Sequence, residues 1–210
     1  VESLALAFSS GWASGVNAYL VVLVLGLADR VGDVAQIPDA LGRWDVLAAA
    51  ALLFAMEFVA DKIPWLDSTW DAFSTAIRPT VGAVIGVLLA GDASTLQQAV
   101  LGVVGGGTAL ASHLVKAGTR LAVNTSPEPA SNVVVSLAED VAVLGVVWFA
   151  LEHPRAAAAV AALMLAGGLL LVLALGRLVR RGRQRRRARR ALVGTPARGA
   201  SPLATGPPRP

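Results

Sequence analysis

Charged side chains inside long apolar runs constrain this chain more than any other feature. Glu57, His113, Lys116, Glu139 and Asp140 each lie within or at the edge of a stretch apolar enough to cross a bilayer. An ionisable group at bilayer depth costs roughly 2.5–3.5 kcal/mol or more unless it is paired or hydrated, so such residues persist where structure or function requires them. Any mechanism is to be sought among them rather than in the apolar bulk.

The runs themselves set the class. Apolar residues make up 55% of 210 positions and the mean hydropathy is +0.65, above the roughly 45–50% apolar content of a soluble domain. About six segments stand out, near 3–28, 45–61, 77–91, 96–121, 132–151 and 155–178. The fold class they imply is all-α, a polytopic integral membrane helix bundle, with the first run retained as a span. A span needs roughly 20 apolar residues, so the third segment is short enough to be re-entrant. Between the second and third segments, Ile63, Leu66, Trp70, Phe73 and Ile77 recur at helical spacing, with Asp67, Asp71 and Ser74 on other faces. That pattern predicts an amphipathic helix at the membrane interface, with Pro79 in the first turn of the segment that follows.

Charge divides the chain in two. Residues 1–176 carry all 14 acids and seven Lys or Arg, 7 − 14 = −7, whereas 11 arginines follow Gly176. The expected organisation is a transmembrane helical domain, 1–178, and a disordered Arg-rich tail, 179–210. A basic cluster directly after a span marks a cytoplasmic end near anionic lipid headgroups; no nucleic acid partner is expected. With six spans both termini are cytoplasmic, and the polar stretches 62–76 and 122–131 then face the cytoplasm. Sixteen Arg against two Lys, with abundant Ala, Gly and Val, is the usage of a GC-rich bacterial genome, which places the protein in the bacterial inner membrane. Two halves of three segments would suit an inverted repeat, and Gly15 and Gly26 match Gly107 and Gly118 at one offset.

The absence of cysteine excludes disulfides and thiolate chemistry, and two histidines are too few for a His-rich metal site. No catalytic set, metal site or cofactor is expected. Gly11/Gly15, Gly82/Gly86 and Gly102/Gly106 form small-xxx-small pairs, which predict close helix contacts rather than chemistry. Gly105-Gly106-Gly107-Thr108 lacks the Lys and strand of a phosphate loop and reads as packing or a local distortion.

The candidate polar path takes in Asp67 and Asp71 of the amphipathic stretch and has three further parts. His113, Lys116 and Arg120 share one helical face; Arg120 and, in part, Lys116 can snorkel outward, and Glu139 and Asp140 on the next segment are placed to pair across the hairpin. Glu57 and Asp61 share a face by their i, i+4 spacing and repel unless a cation or a proton relieves them; Lys62 and Arg78 are the nearest candidates. The run Asn124-Thr125-Ser126-Pro127-Glu128-Pro129-Ala130-Ser131-Asn132 is denser in hydrogen-bonding groups than a plain loop requires, and Ser131 or Asn132 can cap the helix that follows.

These residues carry a resemblance. Glu57 to Asp67 (EFVADKIPWLD), Arg78-Pro79, Lys116 to Arg120 (KAGTR), Asn124 to Asn132 (NTSPEPASN) and Ser136 to Asp140 (SLAED) resemble the bacterial membrane family catalogued as domain of unknown function 4126, over about residues 5–175. Gly15-Val16-Asn17-Ala18-Tyr19 is a looser match. The resemblance implies a membrane protein and supplies no activity. The leading functional reading is a small channel or secondary transporter whose buried charges line a path for a small solute or ion. The alternatives are a structural or assembly protein whose charges are interhelical clasps, and a lipid-modifying enzyme. A homo-oligomer is compatible with each.

Overall fold

The computed structural model describes residues 1–32, 34, 36–123 and 129–193. Among these the regular structure is six helices: α1 Glu2–Gly32, α2 Trp44–Ala60, α3 Pro64–Leu88, α4 Thr95–Val123, α5 Pro129–Glu152 and α6 Pro154–Val193. Three of them start on proline, whose fixed φ and missing N–H suit the first helical position. α5 therefore begins at Pro129, ahead of the expected caps Ser131 and Asn132. The turn between α3 and α4 passes through Gly91 at φ 54°, a left-handed conformation that glycine adopts without a steric penalty.

Four helices, α1, α4, α5 and α6, are long and apolar enough to cross a membrane, and the chain is a polytopic membrane helix bundle. α2, at 17 residues, and α3, which carries two aspartates and an arginine, complete it. α1 is the central element and packs against α2, α3, α4 and α5. It is buried from Leu6 to Gly26 on most of its circumference.

α3 corrects the expectation of an interfacial helix followed by a short segment. The two are one helix of 25 residues with Pro79 inside it, so 62–76 is not a loop. Its amphipathicity is inverted relative to a soluble protein: Asp67, Asp71, Ser74 and Arg78 are buried, whereas Leu66, Phe73 and Ile77 are exposed. Hydrocarbon solvates the apolar stripe, and the only neighbours able to satisfy the polar stripe are inside the bundle. α5 likewise turns Val134, Leu137, Val141, Leu144 and Trp148 outward.

Glycine sets how closely the helices approach. A Cβ on Gly11 would collide with Thr108 and Gly105, and one on Gly15 with Ser112 and Ala109, which fixes α1 on α4. Gly82 and Gly86 meet Gly105, Ala109 and Leu101, while Gly102 and Gly106 meet Val87, Ala83 and Pro79, which fixes α3 on α4. The matched positions of the two halves are not equivalent: Gly15 is tightly enclosed, whereas Gly107 has nothing within 4 Å.

Contacts divide the chain into a body, Val1–Val172, and a second unit beginning at Leu173. In the second unit helix continues to Val193, through the first part of the stretch whose composition predicts disorder. Arginine and alanine are strong helix formers, and the helix already begun upstream spares them the cost of nucleation. Residues 194–210 lie outside the described residues.

Gly15→Ala should cost about 1–3 kcal/mol through overpacking, measured as a lower melting temperature in detergent. Gly107→Ala should be neutral or stabilising by up to about 1 kcal/mol, the helix-propensity gain.

Candidate functional site

The site begins with a break in the central helix. Asn17, fully buried among apolar neighbours, has φ −150° and ψ 96°, which splits α1 into two half-helices. Its side chain caps the second half: Oδ1 accepts the Leu20 N–H at 3.0 Å, the N-cap arrangement that asparagine favours. Nδ2 donates to Asp140 Oδ1 of α5 at 3.0 Å. A break inside a bilayer frees backbone carbonyls that hydrocarbon cannot satisfy, and here side chains do so. The Gly15 carbonyl accepts Arg78 Nη1 at 3.3 Å, and the Val16 carbonyl accepts Lys116 Nζ at 3.0 Å. One turn earlier, the Trp12 carbonyl accepts the Ser112 hydroxyl at 2.7 Å. Two cations thus meet the carbonyl end of the first half-helix, where the helix dipole is negative.

The same cations hold a buried carboxylate network. Arg78 lies 2.7 Å from Glu57 and 3.3 Å from Asp71. Lys116 lies 2.9 Å from Asp61, 3.4 Å from Glu57 and 3.7 Å from Glu139. Arg120 lies 2.6 Å from Glu139, 3.2 Å from Asp61 and 3.6 Å from Asp67, and donates to the Asp61 carbonyl at 2.8 Å. Glu57, Asp61, Asp67, Asp71, Arg78, Lys116 and Arg120 are all buried, while Glu139 keeps 17% of its side chain exposed. Among the described residues, three cations face five carboxylates in these ion pairs, and Asp140 lies beside them as a sixth acid.

His113 adds no charge to this balance. Arg78 Nη1 lies 2.8 Å from His113 Nδ1; a guanidinium only donates, so Nδ1 is the acceptor. The proton is then on Nε2, 2.9 Å from Thr75 Oγ1, and Thr75 passes its own proton to the Asp71 carbonyl at 2.9 Å. Donor and acceptor roles along this chain are consistent only with a neutral imidazole.

Of the residues singled out from sequence, the structure joins Glu57, Asp61, Asp67, Asp71, Arg78, His113, Lys116, Arg120, Glu139 and Asp140 in one cluster. Two expectations change. Lys62 does not relieve Glu57: its ammonium donates to the Phe58 carbonyl at 2.8 Å and sits 3.0 Å from the centre of the Phe58 ring. Lys116 and Arg120 do not snorkel, because carboxylates on α2, α3 and α5 satisfy them in place. Asn124, Ser126 and Glu128 lie outside the described residues, and Asn132 lies on α5. Sequence reading left Asn17, Ser112 and Thr75 unassigned. For Asn17 the signal was present as a cap-forming amide inside an apolar run.

The family model described as Domain of unknown function (DUF4126) matches residues 4–174, which takes in the whole cluster. No curated protein and no solved structure matches the chain.

Arg78→Leu should destabilise the protein by about 3–5 kcal/mol, since it leaves Glu57 buried beside one weaker partner. Adding Glu57→Leu should restore part of that loss, and a double-mutant cycle on detergent melting temperatures measures the coupling. A purely additive cycle would mean that the pair is not a unit.

Proposed function

We propose that this chain, which belongs to the DUF4126 family, is a small transporter or channel of the bacterial cell membrane that handles a cation at the break in α1. The observation that carries the reading is the juxtaposition at Asn17: a discontinuous helix, carbonyls released from helical bonding and met by Arg78 and Lys116, and a charge cluster with an excess of carboxylates among the described residues. Discontinuous helices near the bilayer midplane supply ion and substrate sites in secondary transporters, because half-helix ends offer carbonyls and N–H groups to an ion without crossing the membrane as irregular chain. The excess of carboxylates over cations among the described residues favours protons or small cations over anions as the species exchanged. A clasp needs only matched charge, whereas here carboxylates outnumber their partners.

Asp140 is the residue best placed to change state. It is half-buried, one oxygen is held by Asn17, and the other is buried without a hydrogen-bond partner. Taking up a proton or a cation at that oxygen would alter the bond to Asn17 and hence the angle between the half-helices. The arginines after Gly176 support a cytoplasmic C-terminus and contact with anionic lipid.

Asp140→Asn keeps an acceptor for Asn17 but removes the charge. In proteoliposomes bearing a proton or potassium gradient, flux through the wild type should exceed empty liposomes, and the variant should lose about tenfold or more of it with little change in melting temperature. Absence of flux in the wild type, or a variant that loses stability and not flux, would favour the clasp. A fluorescent reporter fused after Pro210 should light in the cytoplasm; a signal only from a periplasmic reporter would reverse the orientation.

A further inference from the structure

Beside the ion cluster the body of the protein carries a groove of about 380 Å³. Its walls are apolar, formed by Trp12, Val135, Met164 and Leu171, and Lys116 and Glu139 lie at its polar end. These residues come from α1, α4, α5 and the part of α6 within Val1–Val172, so the groove belongs to one compact unit. We propose that it is a binding site for a lipophilic cation, an apolar molecule bearing a quaternary or protonated onium centre, with Glu139 as its counter-ion.

Charge complementarity selects the occupant. The three N–H bonds of Lys116 are directed to the Val16 carbonyl, Asp61 and Glu57, which leaves none for an anion. The hydroxyls of Ser112 and Thr119, also on the groove wall, donate to backbone carbonyls. Glu139 differs: one oxygen faces both Arg120 at 2.6 Å and Lys116 at 3.7 Å, the side chain remains partly exposed, and among the described residues the cluster behind those cations holds more carboxylates than cations. The exposed polar function at the end of the groove is thus an acceptor with negative potential behind it. The Trp12 indole adds an aromatic surface of the kind that attracts onium groups. A hydrocarbon-lined approach suits a ligand that partitions into lipid first, because apolar walls offer a hydrated inorganic ion no substitute for its water.

This inference rests on the transport reading only for its consequence, that the bound cation is moved; the binding itself is tested alone. Purified full-length protein in lipid nanodiscs is titrated with radiolabelled tetraphenylphosphonium and, in parallel, with tetraphenylborate, an anion of nearly the same shape. Saturable binding of the cation, at least about tenfold tighter than that of the anion, is expected. Glu139→Gln should weaken the cation by about tenfold or more, and Val135→Trp, which fills the groove and leaves the ion cluster intact, should do the same. Equal uptake of both ions, or binding unaffected by Val135→Trp, would overturn the site, because either result means partition into lipid alone. Failure of the phosphonium to bind while proton or potassium flux persists would overturn this inference and leave the transport reading standing. Saturable, charge-selective binding in a protein without flux would leave the site standing and remove transport.

Discussion

Arg78 is the side chain on which the rest of the arrangement depends. From one buried guanidinium it reaches the Gly15 carbonyl at the break in α1, Glu57 on α2, His113 on α4 and Asp71 on its own helix. Such a residue joins four helices through fixed hydrogen-bond directions that lysine could not reproduce. In an apolar medium no water substitutes for a lost partner, so the geometry of each helix is conditional on the others. The glycines on α1, α3 and α4 serve the same end, since only close backbones let these side chains reach across.

The network is more than a set of pairs. Every cation contacts at least two carboxylates, and Glu57, Asp61 and Glu139 each contact two cations. Shared partners make removal of one member propagate, and they also let a proton or cation enter at one point while charge redistributes among neighbours. The break at Asn17 places non-helical backbone in direct contact with that network. A structural clasp and the proposed transport would draw on the same residues, so stability and flux have to be measured on the same variants.

Much of this was legible in the sequence, for a physical reason: charge in an apolar run has so few acceptable environments that its presence nearly dictates its partners. Lys116 and Glu139 could be set to pair across a hairpin, and Glu57 could be seen to need a cation or a proton, because the bilayer leaves them nowhere else to go. The error over Lys62 came from nearness in sequence; a short loop lets a long flexible side chain turn back on its own helix, and Phe58 captured it. The reading of α3 failed on continuity. Pro79 reads as the opening of a new segment, whereas the helix runs through it from Pro64 to Leu88; periodicity identifies the faces of a helix without saying where it stops. In the tail, composition offers only a run of like charge, and the continuity of a helix already formed upstream is not written in it.

The inverted face of α3 bears on how the protein is made. As it leaves the ribosome, α3 lacks the uninterrupted apolar stretch by which the insertion machinery recognises a segment, and its aspartates and Arg78 have their partners on helices before and after it. Asp61, just after α2, meets its cations Lys116 and Arg120 only once α4 is made. The polar core shared by α2 and α3 is therefore completed late in synthesis, when α4 is in place, and not helix by helix.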